Sequence, residues 1–252
     1  MEPLLEVRNL TKIFQKKGQT ELAAVDHLNF CLYPKETLGI VGESGSGKST
    51  VAKAVTRLID VTEGEIFLKG ENITFLKGRE LRRICRSYQM VFQSPAGSFD
   101  PRKTLGDGIG ESLKNAGVPR KERIKRVEEL LDQCGLPAEY ARRYPREVSG
   151  GQCQRAAIAR ALAIGPERLV CDEATSALDV TVQKQVMELL AKLRKEKGMA
   201  ILFICHDLAL VQQFCDRILV MKEGKLIESG TPDEVIRHPK EEYTKRLIDA
   251  VL

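Results

Sequence analysis

Residues 37–50 read TLGIVGESGSGKST, and the fold turns on how this stretch is read. Thr37–Val41 is a short apolar run that ends in a glycine-rich turn. From Lys48 onward, Val51, Ala54, Val55, Leu58 and Ile59 keep the spacing of a helix, which is expected over Lys48–Ile59. Strand, turn and helix thus frame the pattern G-x-x-x-x-G-K-[ST], running from Gly42 through Glu43, Ser44, Gly45, Ser46 and Gly47 to Lys48, Ser49 and Thr50. The glycines let backbone N–H groups turn inward around phosphate oxygens, and a helix N-terminus adds partial positive charge. Lys48 has the reach for β- and γ-phosphates, and the Ser49 hydroxyl suits Mg²⁺. The pattern says nucleotide; it leaves ATPase, GTPase and kinase open.

Outward from this point the chain keeps an α/β rhythm. Leu4–Phe14 and Leu28–Leu32 alternate like strands that open a sheet, and Gly64–Lys69 and Tyr88–Phe92 look like further strands. Between Ser94 and Gly165 the chain is mostly helical and charged. Strand and helix then alternate again through Arg168–Cys171, Val182–Lys195, Ala200–Cys205, Leu208–Phe214 and Arg217–Lys222. Gly224 and Gly230 frame a last short strand, and Thr231 with Pro232 reads as the cap and first position of a helix. Such alternation predicts a largely parallel sheet covered by helices. The expected organisation is a single domain over 1–252, with a nucleotide-binding core in 1–93 and 165–252 and a helical subdomain in 94–164.

Composition excludes several classes. With 42% hydrophobic and 30% charged residues, the 252-residue chain is neither collagenous nor disordered. No run of eighteen apolar residues is present to span a membrane, and the start MEPLLEVRNL has no signal-peptide core, so a cytosolic location is expected. Seven scattered cysteines without a C-x-x-C spacing read as reduced, buried small hydrophobes. The charge of +5 is spread along the chain and does not demand nucleic acid; Arg82–Arg83, Arg120–Arg123 and Lys192–Lys197 read as solvated helix faces, with anionic headgroups as the other option.

Two further stretches narrow the function. Val148-Ser149-Gly150-Gly151-Gln152-Cys153-Gln154-Arg155 precedes a helical run, and twenty residues after Gln152 an apolar strand delivers Asp172 and Glu173 at its C-terminal end. Ligands of open α/β sheets bind at that end. Together with the loop Ser176–Asp179 and with His206 after another apolar strand, these motifs resemble, over essentially the whole chain, the ATP-binding subunits of ABC transporters. The resemblance implies a P-loop NTPase core, a mostly parallel sheet with an antiparallel β part, carrying a helical subdomain. It implies ATP and Mg²⁺ as ligands, with Ser49, Gln93 and Asp172 at the metal, Glu173 as general base, and Gln93 and His206 at the attacking water and γ-phosphate. Ser149, Gly150, Gly151, Gln152 and Asp179 would face the nucleotide of an opposing subunit, so two chains would enclose two ATP molecules head to tail. Asp179 also suits an N-cap. Phe14 stands where the family stacks an aromatic on adenine, and equally suits a core position. Ala174 departs from the proline usual after the catalytic glutamate.

Segments including Phe99–Thr104 and His238-Pro-Lys-Glu-Glu-Tyr243-Thr244 are similar to the dipeptide, oligopeptide and nickel import branch. Pro101–Thr104 and the short tail fit the second ATPase of such pairs. That branch implies a paralogous ATP-binding partner, two transmembrane permease subunits and an extracytoplasmic solute-binding protein, with this chain peripheral on the cytoplasmic membrane face. The helical insert near Gln93–Thr104 would dock the permease. A soluble ABC-type ATPase acting on ribosomes or DNA, and an exporter motor, are the alternatives.

Overall fold

In the computed structural model, which describes residues 2–14, 22–94, 96–175 and 178–250, two β-sheets share one core region. Strands β1 (Leu5–Phe14) and β2 (Leu22–Leu32) run antiparallel and pair from Leu5 with Leu32 to Phe14 with Leu22. Next come β3 (Thr37–Val41), helix α1 (Lys48–Val55), β4 (Glu63–Leu68), β5 (Glu71–Asn72), α2 (Gly78–Cys85) and β6 (Tyr88–Val91). Helices α3 (Leu105–Asn115), α4 (Arg120–Gln133) and α5 (Gly150–Leu162) pack on one another. The chain closes with β7 (Arg168–Asp172), α6 (Val180–Lys197), β8 (Ala200–Ile204), α7 (Leu208–Phe214), β9 (Arg217–Lys222), β10 (Lys225–Gly230), α8 (Pro232–Arg237) and α9 (Glu242–Asp249).

The larger sheet has the order β10-β9-β3-β8-β7-β6; all its pairs are parallel except β10 with β9. Every residue of β3, β7 and β8 is buried, which explains why these strands read as continuous apolar runs. The period of two still sorts their side chains. Val41, Leu169, Cys171, Ile201 and Phe203 join one apolar cluster with α3 to α7. Leu38, Ile40, Val170, Leu202 and Ile204 join the other, with α1 and the antiparallel sheet β2-β1-β4-β5.

Several expectations are adjusted. The first strands open a sheet as expected, and with β4 they build the antiparallel part; β2 begins at Leu22 rather than Leu28. The helix expected to reach Ile59 stops at Val55. Arg57 there takes a left-handed φ of 55°. Its buried guanidinium donates to the carbonyls of Ile73 and Ile59 and pairs with Asp60. These bonds, the one to Ile73 sixteen residues away among them, outweigh the local preference for another helical turn. Helix α2 was not anticipated, because its Arg-rich, mostly exposed sequence offers little apolar spacing. The cap at Thr231 is as expected: its side chain and that of Glu234 cap each other's backbone N–H. Five of the seven cysteines are buried, and burial pushes the Cys171 thiol up to about 12 and Cys205 up to about 11.

Candidate nucleotide site

The loop between β3 and α1 can be closed only by glycine at two points. Gly42 has φ 148° and Gly47 φ 101°. A Cβ at Gly42 would lie 2.2 Å from the Met221 carbonyl, and one at Gly47 would lie 2.2 Å from the Ala24 carbonyl. Strands β9 and β2 therefore press the two ends of the loop from outside. The Gly224 N–H adds a bond to the Ser46 carbonyl at 3.0 Å. Between these ends Glu43, Ser44 and Gly45 are exposed, and the Ser46 N–H closes a turn on Glu43 at 3.2 Å. Gly47→Ala should cost at least about 2 kcal/mol and remove nucleotide binding, since both the φ and the Ala24 contact forbid a methyl. A melting curve and an ATP titration check both parts.

Lys48 is buried inside the loop. Its Nζ donates to the carbonyls of Gly42 at 2.8 Å and Glu43 at 2.7 Å, and to Ser46 Oγ at 3.2 Å. Burial pulls its pKa below the usual lysine value, while the charges of Glu173 and Asp172 work against that shift. Thr50 follows in the first turn of α1.

The carboxylates come from the next-but-one strand. Asp172 ends β7, is buried, and accepts from Ser49 Oγ at 2.8 Å. Burial pushes its pKa up; the Glu173 charge adds to this and the Ser49 bond opposes it. Ser49, Asp172 and Gln93 offer oxygen ligands to a hard divalent cation, and the hydroxyl and carboxylate already face each other, so these residues fit Mg²⁺. Glu173 has a left-handed φ of 47°, with its N–H bonded to the Ile204 carbonyl at 3.0 Å. This sparsely populated backbone turns the side chain of Glu173 to Gln93, whose Nε2 donates to Oε2 at 2.5 Å. Gln93 follows β6, two residues beyond the strand's end at Val91. His206, after β8, is exposed. Phe14 closes β1, is 42% exposed, and holds Lys12 Nζ 5.2 Å above its ring. Its exposure speaks against the core position. It pairs with Leu22, two residues before the Ala24 that touches the loop.

A second group gathers at the starts of α5 and α6. Ser149 caps α5: its Oγ accepts from the Gln152 N–H at 3.3 Å, while the Ser149 N–H donates to Gln152 Oε1 at 2.9 Å. Asp179 caps α6 by accepting from the Val182 N–H at 3.0 Å. The two starts touch, because a Cβ at Gly151 would lie 2.4 Å from Val182 Cγ1. A Cβ at Gly150 would meet nothing within 4 Å, so that face is open. Ser176 and Ala177 of the loop before Asp179, and Pro95 after Gln93, lie outside the described residues.

A sequence profile described as ABC transporter matches residues 25–176. The chain belongs to the ATP-binding subunits of ABC transporters. It is 48% identical to the oligopeptide transport ATP-binding protein OppF of Bacillus subtilis (strain 168), over 99% of this chain and 83% of that protein. It is 45% identical to the glutathione import ATP-binding protein GsiA of Escherichia coli O157:H7, again over 99% of this chain but only 41% of that longer protein. The ATP-binding cassette MJ0796, in a dimeric post-hydrolysis state bound to ADP and Pi, superposes with a TM-score of 0.82 at 32% identity, covering 90% of this chain and 98% of that one. The chain is accordingly an ABC ATPase, with the mixed parallel and antiparallel cassette fold expected for the family. Among the described residues no helix is long and apolar enough to cross a membrane.

What local reading missed are the outside braces of the loop: the Ala24 and Met221 carbonyls and Gly224. They carry no side-chain signal, because backbone atoms from distant strands do the work.

Proposed function

We propose that this ATPase is the motor of an importer for peptide-type solutes, working on the cytoplasmic face of the membrane as one of two ATP-binding chains. The observation that carries this reading is the division of the site into two incomplete halves. The phosphate cradle of Gly42–Thr50 lies with Asp172, Glu173 and Gln93 on one surface, and the open starts of α5 and α6 form another. Two copies, or this chain and a paralogue, facing head to tail, complete both sites. The dimeric cassette with ADP and Pi supports that arrangement.

In the closed pair, Lys48 and the loop N–H groups hold the phosphates, and Ser49, Asp172 and Gln93 would hold Mg²⁺, which would supply positive charge beside them. Glu173 takes the proton of the attacking water, which Gln93 and His206 help to orient. Phe14 stacks on adenine. Ser149, Gly150, Gly151, Gln152 and Asp179 bring the partner's γ-phosphate to a helix N-terminus. Residues 94–164 then act as the helical arm of a core made of 1–93 and 165–252. A cavity of about 740 Å³ lined by Leu58, Cys85, Gln93, Ser94, Ser98 and Arg160 opens where that arm meets the core. It offers the permease a seat whose wall includes Gln93, so nucleotide state and permease position are read by one residue.

The oligopeptide and glutathione relatives favour peptide-type cargo over nickel, and favour import over the exporter and ribosome or DNA readings. No cargo contact is assigned to this chain; a solute-binding protein and two permease subunits would supply it. The test is a pull-down of the tagged chain from detergent-solubilised native membranes. A second ATP-binding chain with two permeases is expected. Copurifying ribosomal RNA without a permease would refute the importer.

A further inference from the structure

The C-terminal segment 238–244 reaches the nucleotide loop. Helix α8 leads into it, with the His238 N–H bonded to the Glu234 carbonyl at 3.2 Å. The Glu228 carboxylate on β10 then accepts from the N–H groups of Lys240 at 2.9 Å and Glu241 at 3.2 Å. This fixes the entry to α9, which packs Tyr243, Leu247 and Ile248 against the main apolar cluster. Tyr243, the second residue of α9, is half-buried. Its hydroxyl oxygen accepts from the Glu43 N–H at 3.3 Å, and Lys222 Nζ sits 5.0 Å from its ring centroid. Burial raises the phenol's pKa above its ordinary value, with the Glu43 and Glu223 charges adding to this, so the hydroxyl stays neutral.

We infer that Tyr243 is a positioning residue of the phosphate loop, holding the Glu43 peptide in place while nucleotide binds. The reason lies in how Glu43 is held without nucleotide. Its carbonyl is bonded by Lys48 Nζ at 2.7 Å and its N–H by Tyr243. Lys48 Nζ already serves three acceptors, so a turn to phosphate takes bonds from them, and on this inference the Glu43 carbonyl is one that it releases. The far end of the loop stays fixed by Gly224 on Ser46. At the near end, Tyr243 then keeps the bond to Glu43 that does not compete with phosphate. Without the hydroxyl, the loop start loses both holds at the moment of binding. The free loop keeps Lys48 as its anchor, so the cost falls on the nucleotide-bound state. Segment 238–244, which in sequence marks only a branch of the family, thereby gains a mechanical role.

This inference rests on Gly42–Thr50 being the phosphate cradle, so the experiment includes Lys48→Ala. The full chain, Tyr243→Phe, Tyr243→Ala and Lys48→Ala are titrated with Mg·ATP and Mg·ADP, and each is melted without nucleotide. Tyr243→Phe keeps the ring over Lys222 and loses the oxygen. It should bind both nucleotides about two- to tenfold more weakly, the span of one hydrogen bond, with its ligand-free midpoint unchanged. Tyr243→Ala should lose more, since the ring goes too. Unchanged affinity in Tyr243→Phe, with Lys48→Ala binding neither nucleotide, would overturn the role of Tyr243 alone. So would a ligand-free midpoint that falls in step with affinity, because Tyr243 would then be a packing residue. Full-strength binding by Lys48→Ala would overturn the cradle itself.

Discussion

Glu173→Gln should bind ATP at close to normal strength while turnover falls by about 10²–10⁴-fold, the usual contribution of a general base. The substitution keeps size and keeps an acceptor for the Gln93 amide, which donates to Glu173 at 2.5 Å. It removes only the capacity to take a proton. The proposed phosphate cradle around Lys48, and the Ser49–Asp172 pair proposed for Mg²⁺, are untouched. Binding and turnover therefore separate, which is the signature of an interaction made in the transition state. The measurement pairs an equilibrium ATP titration with a single-turnover hydrolysis assay on the same preparation. Near-normal turnover would remove Glu173 from the role of base. Its left-handed φ of 47° would then need another explanation.

The second large effect concerns the other half of the site. Ser149→Arg should leave ATP binding by one chain intact and abolish ATP-driven pairing of chains. Ser149 stands at the cap of α5, beside the open face at Gly150. An arginine there fills the space that an opposing nucleotide needs. It also removes the cap, at a cost of about 1 kcal/mol, a loss one helix end tolerates. Size-exclusion chromatography with the Glu173→Gln background, with and without ATP, reads the pairing. A dimer that forms normally in Ser149→Arg would show that the α5 start does not face a partner's nucleotide.

Much of this was legible in the residues. The loop from Gly42 to Thr50 is contiguous, and its chemistry needs small residues, a lysine and a hydroxyl at fixed spacing. Asp172 and Glu173 were legible because the run Leu169–Cys171 before them is apolar, as a strand buried on both faces requires. The N-cap alternative for Asp179 is what the geometry displays, and Ser149 with Gln152 forms a capping box as well. Both sets of polar groups thus serve their own helices in the single chain, and the proposed role toward a partner would be additional to that one.

Other features were not legible. The helix from Lys48 was read as reaching Ile59 because apolar spacing continues, but buried Arg57 ends it through bonds to Ile73 and Asp60. Residues 22–27 were not read as strand, since Leu22 and His27 face outward and the alternation is weak. Tyr243 stood in a segment that looked like a family mark without a task.

Residue types and spacings were enough to point to a nucleotide, and with the family resemblance to propose the carboxylates and the signature, because phosphate binding and helix capping act over a few consecutive residues. They were also enough for the parallel sheet, since its strands must be apolar on both faces. Folding was needed to bring the Ala24 and Met221 carbonyls onto Gly47 and Gly42 and the Tyr243 hydroxyl onto Glu43. Those contacts join positions up to 200 residues apart. Two of them are made by backbone carbonyls that every residue type carries, so no pattern of side chains along the chain announces them.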